Sequence, residues 1–293
     1  MSVSNSSRAG LIAAFFTICI WAGFILVSRH GGKGVLTGWD VTALRFGVGA
    51  LIALFFLPRV KLPPLKVVLL FSLFGGVGYA VAVYLAFTMA PAAHAAVLLP
   101  GALPFTTAVI AWLWLKHKPT PTQRAALTLV FFGIALTAVD TLSHGTHLTG
   151  MQMTGDLLFL CGSSSWAIFT LLLRRHPVPP LTAAVSTTLG SALLYLPLWW
   201  LFLPSTLNRA PLAEIAMQAI YQGILVVFVA MMLYAFAVKK LGPQTVTLLM
   251  AVVPGLAALA AVPVLGEPLS LLTLLGLGAV TIGALLGSMA SAR

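Results

Sequence analysis

The stretch Gly10 to Arg29, GLIAAFFTICIWAGFILVSR, decides the fold class of this chain, because it is long and apolar enough to cross a lipid bilayer. At 1.5 Å per residue, about twenty helical residues span about 30 Å of hydrocarbon. Its only charge is the final arginine. The run is too long for a signal peptide and has no small-residue cleavage site at its end, so we expect a retained membrane span.

A second stretch, Gly155 to Arg174, GDLLFLCGSSSWAIFTLLLR, follows the same pattern. In both stretches Gly comes first, Trp follows eleven residues later at Trp21 or Trp166, and Arg follows eight residues after that. The offset between the copies is 145 residues. Similar offsets relate three further pairs: Tyr84 with Tyr234, Pro104 with Pro254, and Lys118-Pro119 with Glu267-Pro268. Matches in this order predict an internal duplication.

The composition of the whole chain agrees with a membrane protein. Of 293 residues, 60% are hydrophobic and 7% are charged, and the mean hydropathy is +1.06. A soluble protein would not expose so much apolar surface. The net charge of +11 lies in short clusters between apolar runs and not on one basic face, so lipid is the expected partner and nucleic acid is not.

Apolar runs of about twenty residues predict ten membrane-spanning helices and hence an all-α fold. The predicted spans lie near residues 10–28, 40–57, 66–89, 94–115, 122–140, 155–173, 181–203, 212–238, 243–265 and 269–289.

The charges between these spans predict the topology. With the N-terminus in the cytoplasm, twelve of the sixteen basic residues fall on the inner side and all five acidic residues on the outer side. The positive-inside rule is then satisfied at every cytoplasmic loop. Arg293 places the C-terminus inside as well. The outer acidic residues are Asp40, Asp140, Asp156, Glu214 and Glu267.

Five spans per copy is an odd number, so the second copy must enter the membrane from the opposite face. We expect a first five-helix repeat at 1–140, an outer polar linker at 141–153 and an inverted second repeat at 154–293. Inverted repeats can exchange conformations around a site near the middle of the membrane, which is the architecture of an alternating-access transporter.

The chain also resembles a known family through four segments: WAGF from Trp21, ALRF from Ala43, Tyr84 to Pro104, and LGEP from Leu265. It resembles the ten-span exporters of the drug/metabolite transporter superfamily with two EamA-type halves, and is similar to bacterial aromatic amino-acid exporters. This resemblance implies export of small molecules across a bacterial inner membrane. The chain departs from the pattern at residues 116–118, where Lys-His-Lys replaces the usual acidic residue before the fifth span.

Aromatic and polar side chains at mid-span predict a substrate cavity. Trp21 and Trp166 lie about half way along their spans, where an indole N–H needs a partner in the bundle or in a wet cavity. The alternative is that the polar groups only join helices, and for the serines before Trp166 that alternative is at least as good. The predicted substrate-binding residues are Trp21, Tyr79, Tyr84, Ser163, Trp166, Gln222 and Tyr234, together with Arg45.

Arg45 is the one strong charge predicted inside a span. A guanidinium there can hold a substrate carboxylate through two parallel hydrogen bonds. The competing interpretation is that Arg45 extends to the outer interface or pairs with Asp40.

Three prolines fall in the middle of the fourth and ninth spans: Pro100, Pro104 and Pro254. A proline removes a backbone hydrogen bond and bends a helix, so we expect these two spans to bend during the access switch; the alternative is a passive kink.

These features predict an exporter of aromatic and other large neutral amino acids, with export of organic cations as the alternative. A membrane enzyme is a distant third interpretation, with Ser163 to Ser165 and His94 as its nucleophile and base. The sequence has no Walker loop, so ATP does not drive it directly, and Cys19 and Cys161 lack metal-ligand spacing. We therefore predict no cofactor and no metal.

Overall fold

The computed structural model describes residues 5–116, 119–143 and 148–290, and within them it forms helices and no strands. Lys118, Arg293 and part of the predicted linker lie outside the described residues. In the described residues, continuous and interrupted helices follow one another along the chain. Six are continuous: α1 (Asn5–Gly32), α2 (Gly38–Phe56), α5 (Pro121–Ser143), α6 (Leu148–Arg175), α7 (Pro180–Phe202) and α10 (Leu271–Ala290).

The other four helices are interrupted. In three of them a stretch of wide π-helical turns joins two α-helical segments: α3 is Leu65–Phe71, Ser72–Val77 and Gly78–Met89; α4 is Ala92–Ala96, Val97–Gly101 and Leu103–Leu115; and α8 is Leu212–Ile220, Tyr221–Val229 and Ala230–Leu241. Helix α9 consists of Pro243–Met250 and Val253–Leu265. The π-helical stretches of α3 and α8 lie about 150 residues apart, close to the offset of the sequence repeat.

Nine helices of the described chain are long and apolar enough to cross a membrane, and a shorter apolar helix covers Leu271–Gly287. Large apolar side chains point outward from the bundle: Leu51 is 68% exposed and Trp200 is 78% exposed. Such an exterior suits lipid and not water. The chain is a multi-pass membrane protein.

The helices pack in pairs across the two predicted repeats. Helix α1 packs on α8 and α6 packs on α3, whereas α2 packs on α7 and α5 packs on α10. Small residues permit the closest approach: a Cβ on Gly133 of α5 would lie 2.6 Å from the carbonyl oxygen of Gly276 on α10. Close contact of backbones is how helices associate in lipid, where the hydrophobic effect does not drive them together.

The prolines interrupt α4 and α9 where the sequence predicts, but not in the predicted way. Pro104 and Pro254 lie in the first turn of the segments that begin at Leu103 and Val253. A proline costs no hydrogen bond in a first turn, so these two residues start a new segment and do not kink a continuous helix. Of the three predicted bending prolines, Pro100 alone lies inside a helical segment, in the π-helical stretch of α4.

Because successive helices cross the bundle in alternate directions, alternate connections lie at opposite ends. The end that contains Asp40, Asp140, Asp156, Glu214 and Glu267 is named the acidic end. The other end, named the basic end, contains the lysines and arginines at the helix ends and connections where α2 meets α3, α6 meets α7, and α8 meets α9. These are Arg59, Lys61, Lys66, Arg174, Arg175, Lys239 and Lys240.

Candidate functional site

A cavity of about 1000 Å³ occupies the centre of the bundle. It extends from mid-bundle to the basic end, where Gln123 of α5 and Arg174 of α6 line it. No aspartate or glutamate of the described chain lines it, and neither do the described residues of the connections at the acidic end. Over the part of the chain that the structure describes, the cavity is therefore closed towards the acidic end.

Two aromatic pairs line this cavity. The rings of Trp21 on α1 and Tyr234 on α8 lie 5.3 Å apart, and those of Tyr79 on α3 and Trp166 on α6 lie 5.0 Å apart. The first pair bridges α1 and α8, and the second pair bridges α3 and α6, which are helices that pack against each other. Ser163 also lines the cavity, and its hydroxyl lies 3.2 Å from that of Thr106. The structure thus brings five of the sequence-predicted residues together.

Arg45 lines the cavity at mid-bundle and is only 6% exposed. Its guanidinium donates to the hydroxyl of Tyr84 at 3.1 Å and lies 5.9 Å from the centre of the Tyr79 ring. The expectation that it pairs with Asp40 or extends to the interface is wrong. The Asp40 carboxylate instead accepts hydrogen bonds from its own turn and from the end of α7. Within the described chain, Arg45 forms no ion pair.

Tyr84 and Gln222, both predicted to bind substrate, lie behind the cavity wall and do not line it. The Tyr84 hydroxyl donates to the Gln222 side-chain oxygen at 2.9 Å, and the Gln222 amide donates to Ser28 and Gln218 at 3.1 and 3.2 Å. These groups form one buried chain of hydrogen bonds that starts at Arg45 and ends on α1. In this conformation they hold Arg45 in place and separate the cavity from the acidic end.

Pro100, Pro104 and Pro254 all line the cavity, from α4 and α9. The interruptions of these two helices therefore lie beside the space in which a substrate would sit. Whether they bend stays a prediction.

Glu267, between α9 and α10, is the centre of a charged cluster at the acidic end. Its carboxylate lies 2.6 Å from Arg29 and 3.1 Å from Lys33, and it accepts the backbone N–H of Ala92 at 2.8 Å. Burial raises the pKa of Glu267, but these hydrogen bonds and the positive charge of Arg29 more than offset it, so the pKa lies below its ordinary value. The cluster joins α1, α4 and the α9–α10 connection.

Two further carboxylates join other helices at the same end. Asp40 forms a capping box with Thr37 at the start of α2 and accepts hydrogen bonds from the Trp199 indole and from Ser205, after α7. Glu214 of α8 accepts the backbone N–H groups of Val35 and Leu36, between α1 and α2. Both carboxylates satisfy backbone donors that no helix satisfies.

His94 of α4 lies between the last two carboxylates. Its Nδ1 is 3.0 Å from Asp156 of α6, and its Nε2 is 3.1 Å from Asp140 of α5. Thr141 donates to Asp156 at 2.6 Å and Thr273 of α10 donates to Asp140 at 3.0 Å. The residues His94, Asp140 and Asp156 are 2%, 5% and 8% exposed.

The sequence predicts these five carboxylates as markers of topology, with Asp40 also as a candidate partner of Arg45, but it does not predict their role in joining helices at the acidic end. A signal was present in the sequence, because each carboxylate stands at or near the predicted end of a span on the same side of the membrane. His94 begins the fourth predicted span, and Asp140 ends the fifth. The partners could not be assigned, because they lie up to 238 residues away in the chain.

Comparison with known families decides the class of this bundle. The model of the EamA-like transporter family matches residues 8–139 and again residues 153–289. The chain belongs to the EamA-like transporter family. The resemblance to the drug/metabolite transporter superfamily is thereby confirmed, and the chain is placed in a family of membrane transporters.

Curated relatives and a solved structure agree with this family. The chain is 29% identical over 258 residues to the threonine/homoserine exporter RhtA of Escherichia coli K12, covering 86% of this chain and 82% of that one. It is 25% identical over 197 residues to the uncharacterized transporter YyaM of Bacillus subtilis, covering 65% and 63%. A crystal structure with 21% identity superposes with a TM-score of 0.64 over 98% of both chains and shows the same fold.

Proposed function

We propose that this transporter exports small zwitterionic metabolites, above all aromatic and other large neutral amino acids, by alternating access through the central cavity. The observation that carries the proposal is Arg45, a buried guanidinium at the cavity surface with no carboxylate of its own. A substrate carboxylate would satisfy it with charge-assisted hydrogen bonds.

The cavity walls support the apolar part of the substrate. Between the pairs Trp21 with Tyr234 and Tyr79 with Trp166, an aromatic or large aliphatic side chain would gain about 1 kcal/mol beyond the burial of its area. The name of the Escherichia coli relative, a threonine/homoserine exporter, places that protein among exporters of neutral amino acids and supports the same class here.

The two alternative functions receive less support. An organic cation would meet Arg45 and Arg174 in a cavity to which the described chain contributes no acidic residue. For an enzyme, the candidate base His94 contacts Asp140 and Asp156 at the acidic end, whereas Ser163 contacts Thr106 at the cavity. The nucleophile and the base are therefore not in contact with each other.

Alternating access needs the inverted architecture that the sequence predicts. The two matches of the family model leave a gap at the predicted linker, and the contacts of α1 with α8 and of α3 with α6 exchange under the repeat. Both observations support two inverted five-helix repeats with ten spans. With the protein in a bacterial inner membrane and both termini in the cytoplasm, the basic end faces the cytoplasm, and substrate enters the cavity from that side.

The test is flux of labelled amino acids through the purified protein in liposomes. We expect Phe, Trp and Tyr to move, Thr to move more slowly, and Asp and Glu not to move. Trp166→Ala should lower flux of Phe more than that of Thr, whereas Trp200→Ala, on the outer surface of the bundle, should leave both unchanged. Equal flux of Glu and Phe, or unaltered selectivity in Trp166→Ala, would refute the substrate assignment.

A further inference from the structure

The contacts of His94 require a particular number of protons. Each ring nitrogen faces a carboxylate oxygen, Asp156 at 3.0 Å and Asp140 at 3.1 Å. An ionised carboxylate only accepts hydrogen bonds, and a neutral imidazole carries a single N–H. With neutral His94 and two ionised aspartates, one ring nitrogen would turn its lone pair towards a carboxylate.

The observed geometry is therefore satisfied only with one additional proton. The proton makes His94 an imidazolium that donates to both aspartates, or it makes one aspartate a carboxylic acid that donates to the ring. In either form the three groups together carry one negative charge, and without the proton they carry two. The proton belongs to the triad of His94, Asp140 and Asp156 as a unit.

The triad joins four helices at the acidic end. His94 is on α4, Asp140 on α5 and Asp156 on α6, and Thr273 attaches α10 to Asp140. Other polar neighbours are uncharged: the Gln152 amide and the Thr141 hydroxyl lie about the Asp156 side of the ring.

In the described part of the chain, the charged groups nearest the triad come from α1 and from the α9–α10 connection. Glu267 binds the backbone N–H of Ala92, two residues before His94, but Arg29 and Lys33 neutralise it. The helix ends can meet in this way when the triad holds its proton, and two ionised aspartates around a neutral histidine would repel each other if it did not.

We propose that the triad is a proton-binding gate: the acidic end closes with the uptake of one proton by His94, Asp140 and Asp156, and opens with its release. The inference rests on the alternating access of the proposed function. Because the cavity does not reach the triad, the proton enters from and returns to the aqueous phase at the acidic end. The gate thus responds to pH on that side without carrying protons across the membrane, and acidification favours the closed acidic end.

The test measures the gate without any substrate. Nitroxide labels on cysteines at Met151 and Leu271, exposed positions on α6 and α10, report the separation of these helices in a background with Cys19 and Cys161 replaced by Ala. As the pH falls from 8 to 6 we expect the ratio of closed to open protein to rise, by at most about tenfold per pH unit for one linked proton.

Asp156→Asn is the decisive variant. Its amide N–H can donate to Nδ1 of neutral His94 while Nε2–H donates to Asp140, so closure no longer requires the extra proton. We expect the ratio to vary less than twofold between pH 8 and 6. Glu214→Gln, the same chemical change at the same end but outside the triad, should keep the native slope. If Asp156→Asn does not fold, Asp140→Asn makes the same test from the other ring nitrogen.

A native ratio that is independent of pH, or a native slope in both Asp156→Asn and Asp140→Asn, would overturn the proton gate. Failure of the proposed function looks different. In that case the nitroxide distances still change with pH in the native protein, but no amino acid crosses the liposome membrane.

Discussion

The acidic end and the basic end of the bundle are held by opposite chemistry. At the acidic end, all five carboxylates of the chain form hydrogen bonds or ion pairs between helices, with partners such as Arg29 and His94. At the basic end, the arginines and lysines of the described chain form no ion pair, and the helix ends surround the cavity mouth. Ion pairs and hydrogen bonds to carboxylates thus hold the acidic end closed, whereas the basic end is open to the cavity.

This difference indicates which conformation the sequence favours. To open the acidic end, the protein must give up buried hydrogen bonds to carboxylates, each worth about 1.5–3 kcal/mol. To close the basic end it can use only small and apolar contacts, because its basic residues repel one another. If Arg45 holds the substrate as proposed, substrate binding has to offset this imbalance, and removing closing contacts should lower the barrier to opening.

The largest effect should come from the cavity and not from either end. Arg45→Gln removes the charge that is proposed to hold the substrate carboxylate, at a cost of about 2–3 kcal/mol. The kcat/KM for export of Phe in liposomes should fall about 30- to 150-fold. Arg59→Gln, at the exposed basic end, is the matched control and should stay within about twofold of the native rate. A native rate in Arg45→Gln would show that the substrate carboxylate binds elsewhere.

The next largest effect should come from Glu267 at the acidic end. Glu267→Ala leaves Arg29 and the N–H of Ala92 without their carboxylate, which costs about 2 kcal/mol. The ratio of closed to open protein, measured with the labels at Met151 and Leu271, should therefore fall about 30-fold.

Acidification of the native protein should also lower the ratio of closed to open protein, as Glu267→Ala does. Because the pKa of Glu267 is lowered below its ordinary value of 4.5, its contribution to closure is fully present above 4.5 and is lost as the pH falls through the lowered pKa. Acidification thus loosens the Glu267 cluster in a window below the one in which the His94 triad tightens. Glu267→Ala should lack this acid transition, and its persistence in the variant would assign the transition to another group.

A smaller effect, on the rate of the access switch and not on the stability of either conformation, should come from the three prolines that line the cavity. Replacing Pro100, Pro104 and Pro254 by Ala together should slow turnover about five- to tenfold with little change in substrate affinity, because a continuous helix resists the access switch. Single-turnover flux separates the two quantities. Pro197→Ala, in α7 and outside the cavity lining, is the control. Unchanged turnover in the triple variant would leave these prolines with a purely passive role.

The smallest effect should come from one hydrogen bond at the acidic end. Trp199→Phe removes the indole N–H that donates to Asp40 at 3.1 Å, and we expect a loss of about 0.5–1 kcal/mol in the stability of the closed state. Its neighbour Trp200, which is 78% exposed, provides the control Trp200→Phe with no measurable loss. Equal thermal shifts for the two variants would contradict the assigned hydrogen bond.

Much of the fold could be predicted from sequence because the bilayer simplifies the problem. A helix must satisfy its own backbone in lipid, so length and hydropathy alone locate the spans. The predicted 155–173 falls within α6, and 181–203 matches α7 to within one residue. The interruptions of α4 and α9 followed from their prolines. The π-helical stretches of α3 and α8 were not predicted, since they contain no proline, and glycines such as Gly75, Gly76 and Gly223 do not by themselves interrupt a membrane helix.

The site was predictable in part for a similar reason. Tryptophan and tyrosine at mid-span cannot face lipid cheaply, and four of the residues predicted for this reason line the cavity: Trp21, Tyr79, Trp166 and Tyr234. Tyr84 and Gln222 had the same signal but lie one layer behind, because depth along a span does not fix the direction in which a side chain points. Arg45 shows that closeness in sequence does not identify a partner either. Asp40 is five residues away from Arg45 in sequence, yet Arg45 donates its hydrogen bond to Tyr84.

The separation of acidic and basic residues also has an electrical consequence. With its carboxylates at one end and most of its cations at the other, the protein is a permanent dipole along the membrane normal. In a membrane that is negative on the basic side, the dipole lies in its favourable orientation, at about 2.3 kcal/mol per charge and 100 mV. A voltage applied across the bilayer would act on these fixed charges only as far as the helix ends move, so the access switch should respond weakly to membrane potential and strongly to substrate concentration.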